Sequence, residues 1–142
     1  MPSADPSPLI LLDTHVWYWV VQGDERIPAD LTVVEKAARD HRLMLSAVSL
    51  WEIGMLHAKG RISLELDCLT WIQRALIASN IGLAPLSPEI AVESTHLPER
   101  FHGDPADRMI VASARILKAT LVTKDAAMLE YARHGHFHVI PI

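Results

Sequence analysis

The segment Leu9-Ile10-Leu11-Leu12 is an unbroken apolar run that stops at Asp13. Continuity instead of alternation predicts a strand covered on both faces, as in a parallel sheet. Thr14 is expected to N-cap a short aromatic helix to Val21, which Gly23-Asp24 breaks before Pro28 opens a longer helix to about Asp40. Leu43-Met44-Leu45 reads as a second strand, and from Ser49 the spacing of Leu50, Ile53, Met55 and Leu56 turns helical until Gly60. Asp67 is placed to cap a helix carrying Leu69, Ile72, Leu76 and Ile77 on one stripe, followed by a strand at Ile81–Leu86 and a helix starting at Ser87-Pro88. Asp104-Pro105 opens a helix to about Lys118, Thr120–Thr123 is strand-like, Ala126–Arg133 is helical, and Phe137–Ile142 forms a last strand.

Strands separated by helices throughout predict an α/β domain with a mostly parallel sheet and helices on both faces. Residues 9–142 are expected to form this domain. Residues 1–8 hold three prolines and no basic residue, so they read as a loose tail without the n-region of a signal peptide. Half of the 142 side chains are apolar, enough for a real core without staples. No run approaches the roughly 20 residues that span a bilayer, which excludes a membrane helix. Cys68 is the only cysteine, so an internal disulfide is impossible and a reducing compartment, the cytoplasm, is expected. With 13 basic and 17 acidic residues the net charge is −4, so any nucleic-acid contact must be local.

Active sites in such sheets lie at the carboxyl ends of the strands, and acids follow these strands in a pattern that burial alone disfavours. Asp13 ends the first strand, and Asp125 follows Leu121-Val122-Thr123-Lys124. Glu52 shares a helical face with Met55 and Leu56, and Asp107 heads a stripe through Ile110, Val111 and Ala114. Four ionised carboxylates in one crevice repel, by about 4 kcal/mol for a pair at about 4 Å in an effective dielectric of about 20. Such a cluster needs a cation. All-oxygen ligation without cysteine points to Mg²⁺ or Mn²⁺, held by few carboxylates together with substrate phosphate, and hence to phosphodiester hydrolysis by a metal-activated water.

The aspartates also have structural uses. Asp13 and Asp125 stand where helix N-caps follow strands, and Asp104, with Pro105 at the first helical position, suits a cap better than a ligand. Asp107 would then sit at the third position, where a carboxylate suits the helix dipole. Glu52, inside the otherwise apolar Trp51-Glu52-Ile53-Gly54-Met55, has no such use.

Leu11-Leu12-Asp13-Thr14-His15, Ser46-Ala47-Val48-Ser49-Leu50-Trp51-Glu52-Ile53, Asp104-Pro105-Ala106-Asp107-Arg108-Met109-Ile110-Val111-Ala112 and Leu121-Val122-Thr123-Lys124-Asp125 together resemble a PIN domain of the VapC toxin type. The resemblance runs from about Leu9 to Ile142. It implies a short parallel sheet in an α/β/α sandwich, a Mg²⁺- or Mn²⁺-dependent endoribonuclease, and a cognate VapB-type antitoxin that blocks the site. By position it carries the metal and catalytic roles to Asp13, Glu52, Asp107 and Asp125. Asp104, one turn from Asp107, is left as a ligand through water or a cap. Thr14 and Thr123 resemble the hydroxyl residues that orient water or carboxylates. His15 departs from the asparagine often found after Asp-Thr in such toxins.

Arg100, Arg108, Lys124 and Arg133 lie near the acid motifs as candidates for RNA phosphates. His134, His136 and His138 would share one face if a strand ran through them, which raises a metal clip as a minor alternative to a solvated strand entry. Trp17, Tyr18, Trp19 and Trp51 are candidates for core packing or for a groove taking an antitoxin helix or a second copy in a homodimer. Other readings are a housekeeping PIN nuclease without antitoxin, a haloacid-dehalogenase-like phosphohydrolase, a receiver-type signalling domain and a catalytically dead interaction module. The second and third expect a further acid where this chain has His15 or lacks one, and the intact acids argue against the last.

Overall fold

In the computed structural model, which describes residues 7–142, β1 (Ile10–Leu12) is the middle strand of a five-stranded sheet. β2 (Leu43–Ser46) and then β3 (Gly82–Ala84) lie on one side of it, and β4 (Thr120–Thr123) and then β5 (His138–Pro141) on the other. Every pair is parallel, with Ile10 opposite both Leu43 and Thr120, so the expected mostly parallel sheet is wholly so among the described residues. The first six residues of the expected tail lie outside the described residues.

Alternation along the strands divides the core in two. Ile10, Leu12, Leu45 and Val122 face one layer. There α1 (Thr14–Gln22), α2 (Thr32–Arg39), α3 (Ala47–Ala58) and α4 (Cys68–Ser79) contribute Trp17, Ala37, Ile53 and Ile72. Leu11 and Leu121 face the other, against Ile90 of α5 (Pro88–Glu93), Ile110 and Val111 of α6 (Pro105–Leu117) and Met128 of α7 (Ala126–Ala132). This is the expected α/β/α sandwich. It explains why β1 is apolar at every position: both of its faces are covered.

Several boundaries differ from expectation for local reasons. Thr14 does not cap α1; Asp13 does, accepting from the Thr14 N–H at 2.8 Å, and Thr14 is the first helical residue. α2 starts at Thr32 and not at Pro28, because the Leu31 N–H bonds back to the Pro28 carbonyl and closes a turn. α3 starts two residues before Ser49, since Ser46 ends β2 and already caps it through the Val48 N–H. β3 ends at Ala84, ahead of Pro85, instead of reaching Leu86. On α4 the expected stripe is rotated: Leu69 and Ile77 are 64% and 82% exposed, while Trp71, Ile72 and Ala75 turn inward. Trp71 decides this by packing edge-on against Trp17, with ring centroids 5.4 Å apart.

Leu11 is fully buried between two neighbouring strands and the α6 layer. Leu11→Ala should therefore lower the unfolding free energy by about 3 kcal/mol in urea denaturation. A change below about 1 kcal/mol would mean that this layer closes over the gap.

Candidate active site

The chain leaves β1 for β2 on one side and later enters β4 on the other, so the border of β1 and β4 is where strand order reverses. Crevices at such borders, beyond the carboxyl ends of the strands, are where open α/β sheets bind ligands. Asp13 stands there, directly after β1, its N–H held by the Val122 carbonyl at 3.0 Å. Thr123, the last residue of β4, donates its hydroxyl to Asp13 Oδ2 at 2.7 Å and accepts from the Asp125 N–H at 3.0 Å. One buried hydroxyl thus ties together the acids that follow the two strands. Asp125 also caps α7 through the Met128 N–H at 2.9 Å.

Glu52, on α3, feels the Asp13 charge and lines a neighbouring hollow with Asp104. Thr14 donates to Glu52 Oε1 at 2.5 Å, and its oxygen lies 2.7 Å from the Ser49 hydroxyl. Thr14 has a single proton, and the carboxylate is the stronger acceptor, so Ser49 is left to donate to Thr14. Ser49 is fully buried and was not among the expected site residues. Its signal in the sequence was a hydroxyl one helical turn before Glu52 in an apolar run.

Asp104 is the N-cap of α6, its Oδ1 accepting from the Asp107 N–H at 2.8 Å. Asp107 is partly buried, and among the described residues its carboxyl has no hydrogen-bonding side chain. Gly103 allows this close approach: a Cβ there would stand 2.9 Å from Asp107 Cβ and 2.5 Å from the Phe101 ring. Nothing in the spacing of the motif marked that glycine.

Electrostatics joins these acids. Burial, together with the charges of Asp104, Asp13, Asp125 and Glu52, pushes the Asp107 carboxyl up to about 7. Burial also raises Asp13 above the usual carboxylate range, against the pull of its bonds to Thr123 and Thr14, and the Asp125 charge adds to the rise. Glu52 is raised by burial and by Asp13 and Asp104, with the Thr14 hydroxyl opposing. Asp107 is the group that feels all four of the others. The donor set is entirely oxygen and anionic, which fits a hard divalent cation. Among the described residues no three His, Cys, Asp or Glu side chains stand in complete metal-holding geometry.

Other expected residues are placed differently. Arg108 is turned inward, donating to the Ser94 and Phe101 carbonyls at 2.9 and 2.8 Å, so it braces the loop before α6 instead of facing a phosphate. Arg100 and Lys124 are exposed. His134 and His136 precede β5 and share the Glu99 carboxylate at 3.3 and 2.6 Å, whereas His138 lies exposed on β5. The alternation is therefore an acid-bridged turn, not a metal clip. Trp17 is fully buried and lost to any groove, while Trp51 is 58% exposed.

A five-stranded parallel sheet whose order reverses beside Asp13 and Asp125, with Asp107 feeling both of their charges, defines the class of this molecule. The chain belongs to the PIN domain family, which it matches over residues 10–134. It is 33% identical over 135 residues to ribonuclease VapC22 of Mycobacterium tuberculosis, covering 94% of this chain and 95% of that one. In fold it is similar to the structure titled DNA-bound VapBC from Salmonella typhimurium, with a TM-score of 0.66 at 14% identity over 95% of this chain and 98% of that one. The structure of VapBC2 from Rickettsia felis with a promoter DNA fragment gives 0.67 at 16% identity, over 94% and 98%. Among the described residues no helix is long and apolar enough to cross a membrane.

The two aspartates of α6 should separate in stability measurements. Asp104→Ala should cost about 1 kcal/mol, the size of a lost cap. Asp107 binds its proton more tightly in the folded state, so its contribution to stability is full below its ordinary value of 3.8 and is lost as pH rises through about 7. Without metal, Asp107→Asn should therefore melt above the parent chain by a margin that grows over that window. An equal margin at pH 4 and pH 8 would contradict the raised proton affinity.

Proposed function

We propose that this chain is the toxin of a VapBC-type toxin–antitoxin pair, a cytoplasmic endoribonuclease that uses Mg²⁺ or Mn²⁺ to hydrolyse RNA phosphodiesters. The observation that carries the reading is the Thr123 hydroxyl that ties Asp13 to Asp125 at the strand ends, beside an Asp107 carboxyl that burial and four acids push up, an arrangement that a divalent cation relieves. Asp13, Glu52, Asp107 and Asp125 are the residues that would hold the ion. When bound, it supplies positive charge against the scissile phosphate and lowers the pKa of an attacking water.

The protein's own part is orientation. Thr123 fixes the Asp13 carboxylate and Thr14 fixes Glu52, so neither needs to reorganise when substrate arrives. Asp104 holds the first turn of α6 and with it the backbone of Asp107. Arg100 and Lys124 are the exposed cations for RNA phosphates. The 33% identity to a protein named a ribonuclease supports the reaction, and the likeness to VapBC complexes supports an antitoxin partner. Exposed Trp51, Leu69 and Ile77 offer it apolar surface.

Purified protein should cleave RNA with Mg²⁺ or Mn²⁺ and stop when EDTA is added. Asp13→Asn and Asp107→Asn should each lose more than the roughly 10- to 100-fold that removal of an outer-shell partner costs, while Asp104→Ala stays within it. Cleavage that persists undiminished in EDTA would remove the metal mechanism.

A further inference from the structure

Three consecutive aromatic residues of α1 meet three different environments. Trp17 is buried and donates its indole N–H to Ser79 Oγ at 3.1 Å, and Tyr18 donates its hydroxyl to the Ser63 carbonyl at 3.0 Å. Trp19 is partly exposed. It lines a cavity of about 350 Å³ together with Asp13, His15, Val16, Lys124 and Asp125. His15 and Trp19 lie one helical turn apart on α1, their rings 5.9 Å centre to centre. Lys124 Nζ is 5.8 Å and the Arg26 guanidinium 5.2 Å from the centre of the Trp19 ring.

Core packing accounts for Trp17 but not for a part-exposed ring flanked by cations and opening beside two acids. The combination has a distinct chemical meaning. An indole face stacks any nucleobase, a neighbouring cation meets the phosphate attached to it, and together they hold single strands without reading their sequence. The cavity lies at the lower end of the roughly 300 to 1,000 Å³ range of small-ligand sites, room for one base and not for a paired helix. Lys124 supplies a positive charge to that lining beside Asp13 and Asp125.

We propose that this cavity is a nucleobase subsite: an unpaired base next to the scissile phosphate stacks on Trp19, the tilted His15 ring meets its edge, and Lys124 meets the adjoining phosphate. The proposal rests on the nuclease reading above and adds which residues of this chain seat the nucleotide beside the cut. A base drawn into this cavity sets the neighbouring phosphate over Asp13 and Asp125, so the subsite positions the bond to be cleaved as well as adding affinity.

The test starts from a cut site mapped in total RNA with the wild-type protein and Mn²⁺. A single abasic nucleotide is then walked along a short single-stranded RNA spanning that site. One position beside the cut should raise KM roughly 10- to 100-fold in the wild type, the usual worth of one stacked base, and should have little effect in Trp19→Leu. Trp19→Phe should retain most of the wild-type response, and Lys124→Gln should raise KM at every position. In EDTA, 2-aminopurine at the sensitive position should be quenched on binding to the wild type and stay bright with Trp19→Leu. Unchanged Mn²⁺ affinity by calorimetry would show that Trp19→Leu is folded; if it is not, the scan on the wild type and the Lys124 variant decide. A flat abasic profile in RNA that is nevertheless cut overturns the subsite and leaves the nuclease standing. Weakened antitoxin binding by Trp19→Leu with unchanged RNA parameters assigns the cavity to a protein side chain and also overturns it. Failure of the wild type to cut any RNA would sink the nuclease reading first, and the subsite with it.

Discussion

Carboxylates that are buried near one another repel strongly, and in this protein that repulsion meets at Asp107, on which the charges of Asp104, Asp13, Asp125 and Glu52 all act. Burial and all four of these acids oppose its ionisation. The fold offsets the repulsion with dipoles. Asp13, Asp104 and Asp125 are the N-caps of α1, α6 and α7, so each lies at the positive end of a helix and accepts a backbone N–H there. The same three side chains are structural caps and members of the acidic cluster at once. Removing one therefore changes helix stability and crevice charge together, with opposite signs.

What keeps the acids in register is the sheet beneath them. β1 and β4 are paired residue for residue from Ile10 and Thr120, and both are buried on two sides. The residues just beyond their ends thus start from a backbone with little freedom. Thr123 then joins Asp13 to Asp125, and the Ser49–Thr14 pair joins α3 to α1 at Glu52. Hydroxyls are suited to this because they donate to a carboxylate without adding charge to a site that already has too much.

The fold was legible in the sequence wherever burial on both faces left a continuous apolar run, as at Ile10-Leu11-Leu12, or where Asp-Pro marked a helix start, as at Asp104-Pro105. The expectations failed where a tertiary contact overrode a local one. Leu69 and Ile77 of α4 lost the inward face to Trp71 because Trp17 lies opposite, and no local periodicity contains that contact. Arg108 looked like a phosphate ligand from its place beside Asp107. Only the folded loop shows that it is occupied by two carbonyls. The acids themselves were readable because burying a charge demands a reason. Ser49 and Gly103 were not, since a buried serine and a loop glycine are common and their meaning here depends on Glu52 and Asp107 standing beside them.

Asp107 is the point where the charges of Asp104, Asp13, Asp125 and Glu52 meet. A carbon-detected NMR titration of its carboxyl group, in the metal-free protein and again with saturating Mg²⁺, tests this most directly. Titration near 7 without metal, falling to or below the ordinary carboxylate value of 3.8 when Mg²⁺ is present, is the predicted result. A carboxyl that titrates at its ordinary value in both samples would contradict it.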